Sequence, residues 1–343
     1  MRQLNYIRAR TLEWHDVAEP RLASDQAAIV RPIAVSTCDM DGAVISGLAP
    51  FRGPLPVGHE GVAEVVEVGD AVGLRPGDRV IVPWKISCGE CASCAHGFTA
   101  HCTAVPREAA YSWGPTAREY GGFLADRVMV PWADHMLFPL PRGIDPIDAA
   151  GLSDNIVDAW RAVGPPLEER PGGRVLVAGG GGPGSIGLWA AALAVGLGAA
   201  AVTYLDADAG RRRVAEGYGV GETLDTSAGL PDLDGRFDVT VDASGNPEAL
   251  ALVLRRTAAN GICTCTAGAI YALADVPLPV FAMYRQAVTF RTGWVHTRPL
   301  MHRPLELIAR GDFDPRPAFT RVAPFEQAAE LLAEPFTKLV LLA

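Results

Sequence analysis

Four cysteines lie close together in this 343-residue chain and could bind one metal ion. They are Cys88, Cys91, Cys94 and Cys102, separated by two, two and seven residues. In a chain that opens without an apolar segment of signal-peptide length, such a cluster favours metal binding over disulfide bonds. Four thiolates can surround one Zn²⁺ tetrahedrally, and a shell without an open position is structural. We therefore predict a structural zinc lobe at about residues 85–105, with His96 and His101 outside the ligand shell.

A glycine-rich turn predicts a dinucleotide site. The apolar strand pattern RVLVAG runs into GPGSIG, and a helical pattern follows. Strand, G-x-G-x-x-G turn and helix form the context that this phosphate-binding motif requires. The first glycine permits the tight turn, the second lets the backbone approach a pyrophosphate, and the third lets helix and strand pack closely. The residues assigned to cofactor binding here are Gly182, Gly184, Ser185, Ile186 and Gly187.

An acidic residue beyond this turn indicates which dinucleotide is bound. Asp206 follows Gly187 by nineteen residues, at the end of the next predicted strand. A carboxylate there accepts hydrogen bonds from ribose hydroxyls and repels a 2′-phosphate. We therefore predict NAD(H) rather than NADP(H). Arg211 follows closely and could face a 2′-phosphate, but we favour a position along the adenosine ribose.

Two further residues suggest a metal site with an open position. Cys38 stands alone upstream of the cysteine cluster, and His59 lies in Gly58-His59-Glu60, just before an alternating apolar strand pattern. A catalytic zinc needs about three protein ligands and one free position. A lone cysteine is more often a core residue, and a lone histidine is more often a hydrogen-bonded structural residue. By themselves, these two residues therefore do not establish a metal site.

The elements that must position these residues fall into two regions. Up to about residue 150, short strand patterns alternate with turns that contain Gly and Pro. From about residue 151, strand and helix patterns alternate, which predicts a parallel sheet covered by helices on both faces. The final residues return to a mixed pattern that ends in a predicted strand, KLVLLA. The expected fold class is α/β, with a β-rich domain and a doubly wound parallel-sheet domain.

Composition and charge exclude several classes of protein. Hydrophobic residues make up 49% of the chain and charged residues 20%, which excludes a disordered protein. The net charge of −9 argues against nucleic acid or an anionic membrane surface as the main partner. The most apolar stretch, about 186–205, contains several glycines and predicts a buried helix and strand rather than a membrane span. We expect a cytoplasmic protein.

Taken in order, these motifs resemble those of the zinc-dependent alcohol dehydrogenases of the medium-chain dehydrogenase/reductase superfamily. The match runs from Cys38 through Gly58-His59-Glu60, the four cysteines and the glycine-rich turn to Val241-Asp242-Ala243-Ser244-Gly245. Ala63 is a small departure, because the family usually has glycine there.

This resemblance implies a particular domain plan. A GroES-like catalytic domain is expected over residues 1–155, a Rossmann domain over 156–297 and a return segment over 298–343 that completes the first domain. Ser244 joins the expected NAD contacts. The resemblance also implies a homodimer or homotetramer, often joined through Rossmann edge strands, for which VTFRTGWV is the candidate.

The resemblance further implies a catalytic zinc in the cleft, bound by Cys38, His59 and a third ligand where the chain enters the nucleotide domain. The family has Cys, Glu or Asp at that point, and this chain reads Leu152-Ser153-Asp154-Asn155, so Asp154 is the expected ligand. Alternatively, Asp154 only caps the following helix. Glu60 is expected to approach the metal during ligand exchange. The expected cofactors are thus two zinc ions per chain and NAD(H).

The usual proton relay of the family is absent. After the ligand cysteine the family reads Gly, Ser or Thr, then Asp, often with His soon after, whereas this chain has Met40 and Ala43 at the hydroxyl and His positions. Methionine has no proton to give. Either another group carries the proton, with Asp39 and a water chain, Ser36 and Thr37 as candidates, or the chemistry differs. Asp41 matches the family's aspartate and is expected to be structural.

The leading hypothesis is zinc-assisted hydride transfer between NAD(H) and an alcohol or carbonyl compound, such as a secondary alcohol, a polyol or a specialised metabolite. One alternative is a reductase of a conjugated C=C or C=N bond, and another is a protein that binds NAD without catalysis. Further candidates for the substrate cleft are Tyr111, Trp113 and Arg118, while Trp294 and His296 could face substrate or a subunit interface.

Overall fold

The computed structural model describes residues 1–49, 51–114, 116–180, 182–268 and 275–343. The strands in these ranges are β1 Arg2–Arg8, β2 Thr11–Asp16, β3 Ala28–Ser36, β4 Leu55–Pro56, β5 Glu60–Val68, β6 Arg79–Val82, β7 Val128–Val130, β8 Phe138–Pro139, β9 Arg174–Ala178, β10 Ala201–Asp206, β11 Glu222–Asp225, β12 Phe237–Asp242, β13 Thr257–Cys265, β14 Thr289–Thr292, β15 Arg321–Pro324 and β16 Leu339–Leu342.

The helices in the same ranges include several short turns. They are α1 Asp39–Ile45, α2 Ala92–Ala95, α3 Ala117–Tyr120, α4 Ala133–Met136, α5 Pro146–Ala149, α6 Asn155–Glu169, α7 Ser185–Gly196, α8 Ala209–Gly217, α9 Pro247–Arg256, α10 Val280–Gln286, α11 Thr297–Leu300, α12 His302–Arg310 and α13 Ala328–Leu331. Short 3₁₀ turns cover Thr99–His101, Ala150–Ser153, Arg316–Ala318 and Phe325–Gln327. None of the helices in the described ranges is long and apolar enough to cross a membrane.

The chain divides into two compact units. The first comprises Met1–Val157, His296–Ala309 and Phe319–Ala343, and the second comprises Asp158–Val295 and Arg310–Ala318. The chain therefore passes from the first unit to the second within the first turn of α6. The short segment 310–318 belongs to the second unit, where the Trp189 indole donates a hydrogen bond to the Pro315 carbonyl at 3.2 Å.

The first unit is built on a seven-stranded sheet in the order β15-β16-β3-β5-β6-β8, with β7 also paired to β3. Its central strands β3 and β5 are antiparallel and place Ser36 opposite Glu60. The C-terminal strand β16 pairs with β3 on its other side, with Val340 opposite Ser36. The end of β3 thus lies between two segments that are distant in the sequence. This β-rich unit confirms the expected GroES-like fold.

The second unit contains a six-stranded parallel sheet in the order β11-β10-β9-β12-β13-β14. This is the doubly wound strand order of dinucleotide-binding folds. Val175, Leu176 and Val177 of β9 are all fully buried, because helices cover a parallel sheet on both faces. The predicted Rossmann fold class is therefore confirmed.

The helix that links the two units differs from the prediction. The residues Leu152–Val163 have a helical pattern and Pro165 and Pro166 follow them, which predicts a helix that ends before the prolines. Instead, α6 begins at Asn155 and continues through both prolines. The buried side chains of Trp160, Val163 and Leu167 lie on both sides of these prolines. Tertiary packing of this apolar face therefore outweighs the helix-breaking effect of proline.

Candidate metal sites and dinucleotide turn

The structure brings Cys38, His59, Glu60 and Asp154 together as one buried cluster. Their potential ligand atoms all lie within 4.8 Å of one another. Cys38 follows β3 and His59 precedes β5, so the antiparallel pairing of these strands carries both residues to the same edge. The Ser153 hydroxyl donates to the Gly61 carbonyl at 3.0 Å and accepts from the Gly61 amide at 2.8 Å, which holds the neighbouring Asp154 at the cluster.

The contacts within the cluster suit a metal ion. Asp154 Oδ2 lies 3.3 Å from Cys38 Sγ and 3.6 Å from His59 Nε2. The other ring nitrogen, His59 Nδ1, lies 4.0 Å from Asp41 Oδ1, and neither of these two buried atoms has a hydrogen-bond partner in the described part of the chain. Asp41 can therefore orient the ring while Nε2 faces the thiol and the carboxylate. Sulfur, nitrogen and oxygen donors in this set are those that zinc prefers.

The electrostatics of Cys38 and His59 also fit a cation. Burial raises the pKa of the Cys38 thiol well above its ordinary value, and the Asp154 charge raises it further. Burial lowers the pKa of His59, but the Asp154 hydrogen bond and nearby carboxylates outweigh this and raise it overall. The Asn155 amide and the Met40 backbone N–H donate to Cys38 Sγ at 3.5 and 3.4 Å. Two donors therefore already point at the sulfur that must become a thiolate to bind a metal.

A buried lysine that the sequence analysis missed holds Glu60. Lys338 Nζ lies 2.9 Å from Glu60 Oε2 and donates to Asn155 Oδ1 at 2.8 Å, while Ser36 donates to the same Glu60 oxygen at 2.8 Å. Burial raises the pKa of Glu60 to about 8, although the Lys338 charge opposes the shift. The second oxygen, Oε1, is buried and has no hydrogen-bond partner among the described residues. Glu60 is thus anchored through one oxygen and free to contact a ligand through the other.

The four cysteines also form one group. Potential ligand atoms of Cys88, Cys91, Cys94 and Cys102 lie within 4.8 Å of one another. Backbone amides point at the sulfurs, with the Cys91 amide 3.3 Å from Cys88 Sγ and the Cys88 amide 3.4 Å from Cys102 Sγ. Backbone amides directed at sulfur stabilise thiolates. Neither His96 nor His101 is part of this group.

The glycine-rich turn has the geometry that its motif predicts. Gly182 and Gly184 adopt φ values of 91° and 77°, which side chains rarely tolerate, and α7 begins at Ser185, followed by Ile186. A Cβ on Gly187 would lie 3.1 Å from Gly179 Cα and 3.2 Å from Ala243 Cβ. The third glycine therefore permits close packing of α7 on the strand ends. A helix N-terminus at this point of the motif is one that favours a phosphate.

The structure pairs Asp206 with Arg211. The guanidinium makes two contacts with the carboxylate, from Nε to Oδ2 at 2.7 Å and from Nη2 to Oδ1 at 2.8 Å. Asp206 also accepts hydrogen bonds from the Tyr204 hydroxyl at 2.6 Å and the Asp208 amide at 2.8 Å, and it is fully buried. Nη1 of Arg211 donates to the Gly182 carbonyl at 3.2 Å. Arg211 therefore joins the acidic residue to the glycine-rich turn.

The other predicted residues have varied environments. The Ser244 hydroxyl donates to Asp242 Oδ1 at 2.6 Å, after β12. Tyr111 is fully buried and its hydroxyl donates to the Met129 carbonyl, so it packs in the core. Trp113 lies with its ring centroid 5.9 Å from that of His59. The Arg118 side chain is exposed and donates to the Pro54 carbonyl at 3.3 Å.

Two residues from the return region lie in different units. The Ala100 amide donates to the His296 ring at 3.2 Å, which places His296 at the cysteine lobe. Trp294 is 42% exposed in the second unit. Pro115, which lies between the candidate residues Trp113 and Arg118, is outside the described residues.

The fold and these clusters together define a class of protein, the medium-chain oxidoreductases with a GroES-like and a Rossmann unit. Residues 24–142 match the family model "Alcohol dehydrogenase GroES-like domain". The chain is 28% identical over 316 residues to the "Probable zinc-binding alcohol dehydrogenase" of Mycobacterium tuberculosis, covering 91% of this chain and 79% of that relative. It is 32% identical over 249 residues to the L-threonine 3-dehydrogenase of Streptomyces avermitilis, covering 68% and 67% of the two chains.

A solved structure extends this similarity to the whole chain. The alcohol dehydrogenase TADH from Thermus sp. ATN1 superimposes with a TM-score of 0.87 at 25% identity, covering 100% of this chain and 99% of that one. The chain belongs to the zinc-dependent alcohol dehydrogenase family of the medium-chain dehydrogenase/reductase superfamily. It is accordingly an alcohol oxidoreductase.

Proposed function

We propose that this oxidoreductase transfers a hydride between NAD(H) and an alcohol or carbonyl substrate at a zinc ion held by Cys38, His59 and Asp154. The observation that carries the proposal is the buried cluster that these three residues form with Glu60. The potential ligand atoms of the four residues lie within 4.8 Å of one another. Three ligands of this kind leave one position open for a substrate oxygen. Zinc bound there supplies Lewis-acid stabilisation of an alkoxide or polarisation of a carbonyl.

The neighbouring residues maintain this arrangement. Asp41 faces His59 Nδ1 and sets the ring orientation, and the Asn155 amide directs an N–H at the Cys38 sulfur. Glu60 is held by Lys338 through Oε2, so Oε1 remains available to approach the metal position when ligands exchange. The four-cysteine lobe is proposed to hold the second, structural zinc.

The second unit is proposed to bind the dinucleotide. Gly182, Gly184 and the N-terminus of α7 suit the pyrophosphate. Asp206 supports NAD(H), since an aspartate at this point opposes a 2′-phosphate. Its ion pair with Arg211 reduces that opposition, so we expect a preference for NAD(H) rather than exclusion of NADP(H).

A reductase of a conjugated C=C or C=N bond is the second candidate function. It is favoured by Met40, which supplies an apolar side chain where the family usually has a hydroxyl. A protein that binds NAD without catalysis would not require a buried set of three metal ligands, so the cluster argues against it.

Asp154 provides the direct test. Asp154→Ala should lower the zinc content by about one ion per chain and reduce alcohol turnover at least about a hundredfold, because only two protein ligands remain at the cluster. Zinc is quantified by mass spectrometry on the same sample in which NADH absorbance is followed across a panel of alcohols, aldehydes and ketones.

The matched control is Asp70→Ala, which removes an exposed aspartate that follows the opposite end of β5 from Glu60. It should leave both readouts unchanged. An unaltered zinc content in Asp154→Ala would remove Asp154 from the ligand set. Reduction of enones or imines, with no turnover of alcohols or simple carbonyls, would favour the second candidate.

We also propose that the protein is a homodimer or homotetramer joined through the second unit. In the described part of the chain, β14 lies at the end of the parallel sheet. On the preceding helix α10, Val280, Phe281 and Tyr284 are 66%, 73% and 81% exposed. An open strand edge beside exposed apolar side chains is typical of an interface.

A further inference from the structure

Asp206, the acidic residue at the end of β10, already uses its capacity to accept hydrogen bonds. An ionised carboxylate offers about four lone-pair positions. Oδ2 accepts from Arg211 Nε at 2.7 Å and from the Tyr204 hydroxyl at 2.6 Å. Oδ1 accepts from Arg211 Nη2 and from the Asp208 amide, both at 2.8 Å. The side chain of Asp206 has no exposed surface, so a ribose hydroxyl could reach this carboxylate only by displacing one of these donors.

The Arg211 guanidinium lies directly on the glycine-rich turn. A Cβ on Gly184 would lie 3.0 Å from Arg211 Nε and 3.2 Å from its Cζ. Nη1 donates to the carbonyls of Gly182 and Pro183, both at 3.2 Å. Gly184 is the second glycine of the motif, where the backbone approaches the pyrophosphate of a dinucleotide. Arg211 is therefore in contact with both the turn and the acidic residue of the proposed cofactor site.

The surrounding backbone holds both members of this ion pair. Asp208 caps α8 and accepts the Arg211 amide at 2.7 Å. Arg212 donates to the Asp206 carbonyl at 2.7 Å and to Asp225 Oδ2 at 2.9 Å. A guanidinium that makes two parallel contacts with a carboxylate is strongly held. The two side chains are thus fixed relative to each other by their own contacts and by the turn between them.

One end of the guanidinium remains able to bind a ligand. An arginine carries five N–H donors, and the Asp206 carboxylate receives two of those of Arg211. The two on Nη1 face carbonyl oxygens at 3.2 Å, which is longer than the usual distance of about 2.9–3.0 Å. One N–H on Nη2 has no partner among the residues that the structure describes. The Arg211 side chain is 14% exposed, so a group that approaches this end meets N–H donors.

These donors suit a phosphate as well as a hydroxyl. A guanidinium cannot accept a hydrogen bond, so a ribose hydroxyl could only accept from it. A phosphate presents acceptor oxygens and negative charge, and arginine binds it through two parallel N–H contacts. The Asp206 charge opposes such a phosphate little, because its pair with Arg211 has a net charge of zero.

We propose that Arg211 binds the 2′-substituent of the adenosine ribose by direct contact, and that Asp206 is a positioning residue that holds the guanidinium instead of accepting ribose hydroxyls. The site then accepts NADP(H) as well as NAD(H), because the same donors serve a phosphate oxygen or a hydroxyl oxygen. This proposal rests on the proposed dinucleotide site of the second unit and specifies how that site distinguishes the two cofactors.

The test replaces both members of the pair at once, with Asp206→Asn and Arg211→Gln in one protein, so that the net charge of the pair stays zero. NADH and NADPH, which differ only in the 2′-phosphate, are titrated by fluorescence at constant ionic strength and without substrate. The affinity for NADPH should fall about tenfold to hundredfold, because charge-assisted contacts to the phosphate are lost. The affinity for NADH should change less than about fivefold, since only a contact with a neutral hydroxyl is lost.

Two results with the double variant would overturn the proposal. Unchanged or tighter binding of NADPH would mean that Arg211 only neutralises Asp206 and does not contact the phosphate. A loss of NADH affinity as large as the loss of NADPH affinity would mean that Asp206 accepts the ribose hydroxyls after all.

A second variant decides the question if the double variant does not fold, which thermal unfolding shows. Arg211→Lys keeps the positive charge but cannot donate two parallel hydrogen bonds. It should weaken NADPH binding about threefold to tenfold and leave NADH binding unchanged, and an unaltered ratio of the two affinities would contradict direct contact. Arg213→Gln, which removes an exposed arginine from the same helix, is the control and should change neither affinity.

The native protein separates this proposal from the proposed function. It should bind NADPH within about tenfold of NADH. Binding of NADH with a weaker affinity for NADPH by more than that factor would refute the role of Arg211 and leave the proposed function intact. If neither cofactor binds, the proposed dinucleotide site fails and the role of Arg211 fails with it.

Discussion

The proton route depends on a single position beside Cys38. Met40 follows the sulfur by two residues, and its backbone N–H donates to Cys38 Sγ at 3.4 Å, so this residue lies at the metal cluster. Its side chain cannot transfer a proton. Two of the other candidate proton carriers already form hydrogen bonds. The Ser36 hydroxyl donates to Glu60, and the Thr37 hydroxyl accepts from the Leu339 amide.

Met40→Ser should therefore raise the rate of alcohol oxidation by at least about threefold at low pH and change its pH profile. A hydroxyl at this position restores part of a proton relay, and general acid–base steps contribute up to about 10²–10⁴-fold when complete. The measurement is kcat/KM against pH. Met40→Leu, which keeps an apolar side chain, is the control. An unaltered rate and profile in Met40→Ser would show that proton transfer is not limited by the missing hydroxyl.

A second single residue, Arg211, is expected to influence the choice of cofactor. Its guanidinium neutralises Asp206 and donates to the carbonyls of Gly182 and Pro183, both at 3.2 Å. A paired aspartate repels a 2′-phosphate less than a free one, because the net charge of the pair is zero.

Arg211→Ala should consequently lower kcat/KM for NADP(H) about tenfold more than for NAD(H), since an unpaired Asp206 carboxylate then faces the 2′-phosphate. Kinetics with both cofactors at constant ionic strength provide the measurement. Arg213→Ala, on the exposed side of the same helix, is the control. Equal losses with the two cofactors would mean that Arg211 contributes to binding but not to discrimination.

At the scale of elements, the contact between α7 and the sheet decides whether the glycine-rich turn can form. Gly187 lies in the first turn of α7, directly against the Gly179 backbone and Ala243. A helix here must approach the strand ends closely so that its N-terminus faces a phosphate. Close packing and phosphate binding therefore depend on the same small residue.

Gly187→Ala should destabilise the protein by about 1–3 kcal/mol and weaken NAD(H) binding, because its Cβ would overlap neighbouring backbone and side-chain atoms. Gly217→Ala on α8 is a matched helical control, since a Cβ there meets nothing within 4 Å. That variant should be neutral or more stable by up to about 1 kcal/mol. Denaturant unfolding and NADH fluorescence titration measure the two effects, and equal behaviour of the two variants would contradict the packing argument.

At the scale of the whole molecule, the two units carry different candidate sites. The first unit carries both candidate metal sites, and the second carries the dinucleotide turn and the edge strand β14. The exposed apolar residues on α10 of the second unit are therefore available for self-association that does not involve the metal sites.

Phe281→Arg should convert the proposed oligomer to smaller species, because a charge at the centre of an apolar interface is costly to desolvate. Light scattering coupled to size-exclusion chromatography measures the change. Leu48→Arg, which alters a side chain of similar exposure in the first unit, is the control and should leave the mass unchanged. A native protein that is monomeric at micromolar concentration would refute the proposed assembly.

The sequence by itself determined the family, the fold class and the two sets of candidate ligands. The cysteine lobe, the dinucleotide turn and the fold class rest on local patterns, namely cysteine spacing, the G-x-G-x-x-G turn between strand and helix, and the alternation of strands with helices, whereas Cys38, His59 and Asp154 follow from the order of motifs that the chain shares with its family. Such patterns can be recognised in a sequence because neighbouring residues set both the ligand spacing and the backbone conformation. The predicted end of the helix before Pro165 was wrong, because packing of α6 outweighs the helix-breaking effect of proline.

Only the tertiary structure decided which distant residues complete these sites. Lys338 reaches Glu60 across 278 positions of sequence, through the pairing of β16 with β3. Asp154 reaches Cys38 across 116 positions, and Arg211 folds back across 29 positions onto the Gly182 carbonyl of the glycine-rich turn. No local pattern encodes these contacts. They arise because the burial of charged groups requires partners, and the fold determines which partners lie within reach.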